Sequence, residues 1–325
     1  MKVSEIGEFG LIDLIARTVN QQTTHRHNLI IGIGDDAAAW QGDSSVQLAT
    51  VDSLVQDVHF SLENASWADL GWKALAISLS DIAAMGGIPE YALVALSLPD
   101  HTEVADVISF YQGMIELAQQ FKVAIAGGNI SRAPLVVITV TVLGSTSSLL
   151  TRSASRPGDQ AAVTGYLGAA AAGMEMLSRH LQLEAGAANL LKNAFVRPFP
   201  RIAEGQLLRD QGVRAAIDIS DGLIADLAHV CQASQVGSRI EVDRVPVHPA
   251  AKASFGDRSL ELALSGGEDY ELLFTASSEV INSVRKAASC PITIIGEITD
   301  NIGEVAVVDS QGNPVSLTKR GWEHF

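Results

Sequence analysis

Apolar residues recur along the first half of the chain in the two rhythms that distinguish strands from helices. Short continuous apolar runs predict strands, and apolar residues three or four positions apart predict helices. The predicted strands are Leu29–Ile33, Val46–Val51, Tyr91–Leu98, Val123–Ala126 and Leu135–Leu143. The predicted helices are residues 5–20, Trp67–Met85 behind the capping residue Ser66, and Thr102–Phe121. Strands and helices are mixed up to about residue 145, which indicates an α/β unit.

The second half repeats this mixture after a polar connection. Residues 144–159 are rich in Ser, Thr, Arg, Pro and Gly, a composition typical of a segment between domains. Beyond it, predicted strands at Ala161–Thr164, Ala215–Ile217 and Glu271–Thr275 alternate with helical segments. We therefore expect two α/β domains, an N-terminal one over residues 1–145 and a C-terminal one over residues 150–325.

The composition narrows the classes of partner. The 325 residues are 47% hydrophobic, and 22 Lys and Arg against 37 Asp and Glu give a net charge of −15. Such acidity argues against nucleic acid and anionic membranes as partners. A polyanionic ligand would need a few focused Arg side chains, or divalent cations between carboxylate and phosphate.

Cysteine usage and the length of apolar runs indicate the compartment. Cys231 and Cys290 lie far apart and fit neither a disulfide framework nor a zinc motif, which favours a reducing environment. The longest strongly apolar run, Leu135–Leu143, is too short to span a bilayer, and the first residues lack a signal-peptide pattern. We expect a soluble, cytoplasmic protein.

Acidic residues recur where apolar strands or glycine turns end. They are Asp35 and Asp36 after Gly34, Asp52 after a strand, Asp218 and Asp221 before a helix, and Glu268 and Asp269 after Gly266-Gly267, while Asp81 lies in an apolar helix. Each group alone has an ordinary explanation, since Gly-Asp-Asp is common in turns and an Asp at a helix start is favourable. Their recurrence favours a cluster of oxygen ligands for Mg²⁺.

Glycine pairs near these carboxylates favour a phosphate ligand. Gly127-Gly128-Asn129 and Gly266-Gly267 are predicted turns at which the backbone can approach a ligand closely. The sequence contains no P-loop and no kinase-type glycine-rich motif. A nucleotide would therefore be held by metal ions and a few Arg side chains.

Eight motifs resemble those of the thiamine-monophosphate kinase family. They are GIGDDAA, VDSLVQDVHF, WKALAISLSDIAAMGGIP, AGGNISRAP, TRSASRPGD, DISDGLIAD, SGGEDYELLF and GWEHF, in this order over essentially the whole chain. The resemblance implies the two-domain aminoimidazole-ribonucleotide-synthetase-like α/β fold, in which the N-terminal domain forms a homodimer and the C-terminal domain closes over the site. It also implies transfer of the ATP γ-phosphoryl group to thiamine monophosphate, giving thiamine diphosphate and ADP, and it leaves a requirement for K⁺ open.

The same resemblance implies a role for each matching residue. The implied Mg²⁺ ligands are Asp36, Thr50, Val51, Asp52, Asp81, Asn129, Asp218 and Asp221, and the five carboxylates act in catalysis through the bound metal. The implied contacts to thiamine monophosphate are His59, Glu268 and Trp322. The implied contacts to ATP are Tyr111, Gly128, Asn129, Arg152 and Ser220.

Two positions depart from the common family pattern. Asn129 stands where many members have Asp, so its amide oxygen supplies no charge to a metal. Val51 replaces a hydroxyl residue, so that only its backbone carbonyl could coordinate. We therefore do not assume the full metal count of the family.

Two other functions are left open by the sequence. One is another ATP-dependent enzyme of the superfamily, of the selenophosphate or aminoimidazole ribonucleotide synthetase type; the former usually carries a reactive Cys near its N-terminus, whereas no Cys precedes Cys231 here. The other is a non-catalytic divalent-cation-binding protein. No EF-hand loop supports that alternative, and it leaves Arg152, Asn129 and Trp322 unexplained.

Overall fold

The computed structural model describes residues 29–31, 34–42, 44–317, 319 and 321–322, and it contains two six-stranded sheets. The helix predicted over residues 5–20 lies outside the described residues. The first sheet comprises β1 (Leu29–Ile31), β2 (Ala38–Gln41), β3 (Val46–Val55), β4 (Ile88–Leu98), β5 (Ala124–Arg132) and β6 (Val137–Thr146) in the order β1-β2-β3-β6-β4-β5. Its neighbouring strands are antiparallel except for β4 and β5, which are parallel.

Helix α1 (Trp67–Ala84) is buried on all sides. Its N-terminus is fixed by a capping box, in which the Asp69 N–H donates to the Ser66 hydroxyl at 3.2 Å and the Ser66 N–H donates to the Asp69 carboxylate at 3.3 Å. Fourteen of its 18 residues are buried. A helix that is apolar around most of its circumference belongs in the middle of a core, which is where α1 lies.

The two faces of the first sheet differ. Helices α1 and α2 (Val104–Phe121) pack together on one side of it. On the opposite face Val51, Tyr91 and Leu93 remain 61%, 49% and 40% exposed. Only one face of this sheet is therefore covered by the described residues.

The second half of the chain builds a second mixed sheet with helices around it. Its elements are β7 (Gln160–Thr164), α3 (Ala169–Ser178), α4 (Ala185–Val196), α5 (Ile202–Asp210), β8 (Ala215–Asp218), α6 (Leu223–Ser234), β9 (Gly237–Glu241), α7 (Pro249–Phe255), α8 (Arg258–Ser265), β10 (Leu272–Ala276), α9 (Ser278–Ala287), β11 (Ile292–Thr299) and β12 (Val305–Val308). The strand order is β12-β9-β11-β7-β10-β8, and only β12 and β9 are parallel.

Both faces of the second sheet are buried. On one face Ala216 and Phe274 join the core that surrounds α1. On the other, Ile217 and Leu273 belong to a second core that includes residues of α6. The shared core joins the two halves, with α1 packing against β3 and β6 of the first sheet and against β8 of the second.

Glycine allows the backbones around α1 to approach closely. A Cβ atom on Gly71 would lie 1.8 Å from the carbonyl oxygen of Phe110 in α2. A Cβ atom on Gly205 of α5 would lie 2.1 Å from the carbonyl oxygen of Ala83. Because such distances are impossible for real atoms, only glycine permits this packing of α1 against both neighbouring helices.

The predicted α/β class is confirmed, and two local predictions are wrong. Asp52 does not close a strand, because β3 continues to Val55 and pairs with β6 along its whole length. The segment Gly127-Gly128-Asn129 is not a turn, because it lies inside β5, where Asn129 pairs with Ala95 of β4. In both places the hydrogen bonds of the sheet outweigh the local sequence signal. No helix in the described part of the chain has the length and apolar character needed to cross a membrane.

Candidate active site

A cleft of about 1060 Å³ lies between the two halves of the chain. Most of the residues assigned a role by resemblance line it: Asp36, Thr50, Val51, Asp52, His59, Asp81, Arg152, Asp218, Ser220, Asp221, Glu268 and Trp322. They come from the β1–β2 connection, β3 and the segment that follows it, α1, the segment after β6, the β8–α6 junction and the chain after α8. The fold thus brings together carboxylates as far apart in sequence as those of Asp36 and Glu268.

Asp36 is paired with Arg152. The Arg152 guanidinium donates from Nη2 to Asp36 Oδ1 at 2.7 Å and from Nε to Oδ2 at 3.2 Å. Its backbone N–H donates to Asp35 Oδ2 at 3.2 Å, and the Asp36 N–H donates to Asp35 Oδ1 at 3.0 Å. Asp35 therefore fixes the turn, and Asp36 receives a two-point charged contact.

Burial and charge act on these groups in opposite directions. Burial and the neighbouring Asp36 charge raise the pKa of Asp35 to about 7. Burial disfavours the charged form of Arg152, but the nearby carboxylates of Asp36 and Asp35 outweigh it and raise the Arg152 pKa above its ordinary value. Arg152 therefore stays cationic beside Asp36.

Three further carboxylates are held by hydroxyl groups. Asp81 Oδ2 accepts from Thr50 Oγ1 at 2.5 Å, Asp52 Oδ2 accepts from Ser78 Oγ at 2.7 Å, and Asp218 Oδ2 accepts from Ser80 Oγ at 2.6 Å. The last bond links α1 with β8 of the second sheet. Burial raises the pKa of all three carboxyls, and for Asp81 and Asp218 nearby carboxylates raise it further, well above its ordinary value.

The carboxylates fit a divalent cation. Oxygen atoms of Asp36, Asp81 and Asp218 all lie within 4.8 Å of one another. Hard oxygen donors at this spacing suit Mg²⁺, and a bound cation would relieve the repulsion that raises the Asp81 and Asp218 pKa values. The arrangement is therefore chemically suited to metal-assisted reactions of phosphates.

The start of α6 carries a second group of titratable side chains. Asp221, Asp226 and His229 each offer a ligand atom, and these atoms lie within 4.8 Å of one another. Asp226 Oδ2 also accepts the N–H groups of Asp221 at 3.2 Å and Gly222 at 3.0 Å, so it holds the turn that leads into the helix. Burial, helped by the Arg152 charge, lowers the pKa of His229 to about 4, so its imidazole is neutral near pH 7.

The loop between α8 and β10 brings Glu268 to the cleft in an unusual backbone conformation. Glu268 and Tyr270 have φ angles of 60° and 49°, in the left-handed region that non-glycine residues seldom adopt. Three contacts hold the loop: the Glu268 N–H donates to Ser220 O at 2.8 Å, the Tyr270 N–H donates to Ile219 O at 2.9 Å, and Asp269 Oδ2 accepts the Gly168 N–H at 2.8 Å. The surrounding structure thus determines this strained conformation.

His59 and Trp322 lie at other parts of the cleft wall. His59 Nδ1 accepts the backbone N–H of Val55 at 3.0 Å, which sets the orientation of the ring. The backbone N–H of Trp322 donates to the backbone carbonyl of Asp221 at 3.0 Å, and Trp322 is 47% exposed. Both side chains can meet a ligand from anchored positions.

Three of the residues assigned by resemblance do not line this cleft. Tyr111 lies on α2, and Gly128 and Asn129 lie on β5, the exposed edge strand of the first sheet. Two strands separate β5 from β3, which puts Asn129 at about 14 Å from the β3 residues of the cleft. The roles of these three residues stay predictions.

Sequence reasoning missed several residues that support the cleft. Ser78 and Ser80 hold the carboxylates of Asp52 and Asp218, and Lys73 lies 2.9 Å from Glu268. The available signal was their position in α1, since Lys73, Ser78 and Ser80 are polar residues in a helix whose neighbours are almost all apolar. A buried polar residue requires a partner, so these positions indicate polar contacts on α1.

Comparison with known proteins places the chain. The AIR synthase related protein, N-terminal domain, matches residues 34–146, and the AIR synthase related protein, C-terminal domain, matches residues 156–309. The thiamine-monophosphate kinase of Escherichia coli O157:H7 is 39% identical, over 98% of both chains, and that of Bacillus subtilis (strain 168) is 36% identical, over 98% of this chain and 99% of its own. The structure of AaThiL complexed with AMPPCP and TMP is 35% identical, with a TM-score of 0.88, over 100% of this chain and 99% of that one.

The two matched domains and the acidic cleft between them define an AIR synthase related protein. Within that class, full-length similarity at 35–39% identity is found with thiamine-monophosphate kinases. The chain belongs to the thiamine-monophosphate kinase family. The resemblance drawn from the eight sequence motifs and the predicted fold are thereby confirmed.

Proposed function

We propose that this chain is a phosphotransferase that converts thiamine monophosphate and ATP to thiamine diphosphate and ADP. The observation that carries the proposal is the convergence of Asp36, Asp81 and Asp218 within 4.8 Å in the cleft of a thiamine-monophosphate kinase family member. The structure of AaThiL with AMPPCP and TMP, a relative similar over the whole chain, supports the same pair of substrates.

Mg²⁺ is the cation that we propose for the cleft. Asp36, Asp52, Asp81, Asp218 and Asp221 would hold several Mg²⁺ ions, with Thr50 and the carbonyl of Val51 as further oxygen donors. When bound, Mg²⁺ screens the charges of the donor and acceptor phosphates from each other and stabilises the transferring phosphoryl group. A K⁺ requirement is left open.

The remaining cleft residues divide into two binding groups. We assign Arg152 and Ser220 to ATP, and His59, Glu268 and Trp322 to thiamine monophosphate. The accepting group is an ionised phosphate, so direct in-line transfer needs no strong general base, and His59 acts by positioning. The carboxylates and Arg152 supply the charges around the phosphates, while Glu268 and Trp322 hold the substrate in place.

The assay is direct. Purified protein is incubated with Mg²⁺, ATP and thiamine monophosphate, and both ADP and thiamine diphosphate are quantified. Equal formation of the two products is expected. Phosphorylation of thiamine or of another acceptor in place of thiamine monophosphate would refute the assignment and favour another enzyme of the superfamily. ATP-independent metal binding with no product would favour a non-catalytic protein.

Two variants test the division of roles. Asp221→Ala should reduce kcat to near background, because a metal ligand acts in the transition state. Trp322→Ala should mainly raise the KM for thiamine monophosphate, because an exposed stacking residue contributes binding to ground and transition states alike. Equal losses of kcat in both variants would contradict this division.

We further propose that the open face of the first sheet forms a homodimer. Val51, Tyr91 and Leu93 expose apolar surface there, and burying it against a second copy would be favourable. The double variant Tyr91→Lys/Leu93→Lys should halve the mass measured by light scattering. Ile302→Lys, which adds a charge at an exposed apolar residue of the second half, is the control and should leave the mass unchanged.

Two coarser proposals complete the description. We divide the chain into domains at residues 1–145 and 150–325, on either side of the segment that carries Arg152. We also propose a cytoplasmic location, which the free thiols of Cys231 and Cys290 support. Cell fractionation checks the location, and limited proteolysis within residues 144–159 checks the division.

A further inference from the structure

Lys73 is a buried cation beside the cleft. It lies on α1 with its side chain 3% exposed, and its Nζ is 3.8 Å from the centre of the Phe195 ring of α4. Lysine is almost never buried without a partner, because desolvation of the ammonium is costly. The environment of Lys73 must therefore supply a counter-charge.

Glu268 supplies that counter-charge. Its Oε1 lies 2.9 Å from Lys73 Nζ, and Lys73 has no other ion pair among the described residues. The angles are not those of a hydrogen bond, and within the described part of the chain Nζ makes no well-aligned hydrogen bond. The contact is thus an electrostatic one, supplemented by the cation–π contact with Phe195.

Glu268 is held both at its backbone and at its carboxylate. Its backbone is held in the left-handed conformation through the N–H bond to Ser220 O, and one carboxylate oxygen is held by Lys73. The side chain is still 23% exposed and lines the cleft. One oxygen can therefore pair with the buried lysine while the carboxylate remains accessible to a ligand.

We propose that Lys73 is a positioning residue, which orients the Glu268 carboxylate for the cationic thiazolium ring of thiamine monophosphate. This inference rests on the proposed function. A carboxylate held in one orientation loses less side-chain freedom when its ligand binds, so its contact with the ring is stronger. Lys73 does not itself touch the substrate.

The first test separates positioning from stability. Lys73→Met keeps the length and apolar stem of the side chain and removes the charge. The KM for thiamine monophosphate should rise about tenfold, a change typical of one weakened polar contact. The kcat and the KM for ATP should stay within about twofold of wild type. A purely structural role would lower the melting temperature and the active fraction while leaving both KM values unchanged.

A double-variant cycle tests the coupling. Glu268→Gln leaves the buried ammonium without a counter-charge, so it should lower the melting temperature as well as raise the KM for thiamine monophosphate. Adding Lys73→Met should restore the melting temperature and leave the KM high. Arg258→Met, which breaks the Arg258–Glu175 pair outside the cleft, is the matched control and should leave both KM values unchanged.

Binding of thiamine monophosphate measured by calorimetry gives a readout independent of turnover. Weaker binding to Lys73→Met than to wild type is expected. An unchanged dissociation constant and an unchanged KM would overturn the positioning role. If the wild-type protein forms no thiamine diphosphate, the proposed function fails, whereas the melting temperatures of the double-variant cycle still report whether Lys73 and Glu268 are coupled.

Discussion

The carboxylates of the cleft are held in two different ways. Asp36 receives two hydrogen bonds from the guanidinium of Arg152, at 2.7 and 3.2 Å. Asp52, Asp81 and Asp218 instead receive one hydroxyl hydrogen bond each, at 2.7, 2.5 and 2.6 Å. The guanidinium both orients and neutralises its partner, whereas the hydroxyls orient their partners and leave the charge in place.

Because of this difference, a bound cation would stabilise the two groups to different extents. Burial and mutual repulsion raise the pKa of Asp81 and Asp218, because no hydroxyl can offset a like charge nearby. Asp52, Asp81 and Asp218 are thus oriented but repel one another, so a bound cation would lower their electrostatic energy. Asp36 is already paired with Arg152, and one of its oxygen atoms lies within 4.8 Å of oxygen atoms of Asp81 and Asp218.

The largest expected effect comes from neutralising a hydroxyl-held carboxylate. Asp218→Asn keeps an oxygen that can accept from Ser80 but removes the charge. Loss of the metal should lower kcat by roughly a thousandfold, which is about 4 kcal/mol of transition-state stabilisation. Without Mg²⁺, the variant should melt higher than wild type, because the repulsion with Asp36 and Asp81 is gone.

Thermal melts of Asp218→Asn with Mg²⁺ and with a chelator check this trade-off. Wild type should gain stability on adding Mg²⁺, and the variant should gain little. Asp300→Asn, at an exposed position, is the control and should behave as wild type in both conditions. An Mg²⁺-dependent gain as large in Asp218→Asn as in wild type would contradict the role of Asp218.

Arg152→Gln tests the guanidinium-held carboxylate. Removing one partner of a partly buried ion pair leaves Asp36 unpaired and should lower the free energy of unfolding by about 3 kcal/mol without Mg²⁺. Saturating Mg²⁺ should reduce this deficit, because the metal can replace the missing positive charge. Urea unfolding with and without Mg²⁺ measures both values. Arg156→Gln, at an exposed position of the same segment, is the control and should change the free energy of unfolding little. If the loss of stability in Arg152→Gln is the same with and without Mg²⁺, Asp36 does not bind the metal.

The sequence predicts the carboxylates of the cleft better than the residues that hold them in place. The recurrence of acidic residues after strands and glycines, together with Asp81 in an apolar helix, indicates a common site, and the fold places all of these carboxylates except that of Asp269 in one cleft. The partners Ser78 and Ser80 carry a weaker signal, because a short hydroxyl side chain in an apolar helix is also compatible with a core, a cap or a surface. Their partners depend on how α1 packs, since Ser78 faces Asp52 of β3 and Ser80 faces Asp218 of β8.

Long-range pairing also explains the errors at the strands. Gly127-Gly128 favours a turn by local rules, but β5 pairs with β4 over eight residue pairs that the local sequence does not reveal. Likewise β3 continues past Asp52 because β6 offers it a partner as far as Val137. Such pairings join distant segments, so local hydrophobic patterns predict the existence of a strand more reliably than its ends.

Asp269 shows a third way of holding a buried carboxylate, by backbone amides. Its oxygens accept the N–H groups of Gly168 at 2.8 Å and Ala170 at 3.4 Å, yet burial raises its pKa to about 7. Between its unfolded pKa of 3.8 and about 7, the folded state holds a proton that the unfolded state has lost. Stability from this group is therefore complete below pH 3.8 and falls until the pH passes about 7.

Asp269→Asn removes this dependence. Relative to the variant, wild type should lose about 2 kcal/mol of unfolding free energy between pH 5 and pH 6.5, at about 1.4 kcal/mol per pH unit. Urea unfolding of both proteins across this range gives the difference at each pH, in which the titration of other carboxyls largely cancels. A difference independent of pH would show that the Asp269 carboxyl is ionised in the folded protein throughout.

The smallest expected effect comes from a hydroxyl that only orients. Ser80→Ala removes the hydrogen bond that orients the Asp218 carboxylate but leaves the carboxylate in place. Mg²⁺ binding should weaken by about 1 kcal/mol, which corresponds to a roughly fivefold higher Mg²⁺ concentration for half-maximal rate. Ser259→Ala removes another buried hydroxyl, which donates to Gly256 O at 2.6 Å away from the cleft, and should lower stability without changing the Mg²⁺ dependence. If both variants shift the Mg²⁺ dependence equally, the hydroxyl of Ser80 does not orient a metal ligand. The two groups of carboxylates would then differ only in whether a neighbouring positive charge neutralises them.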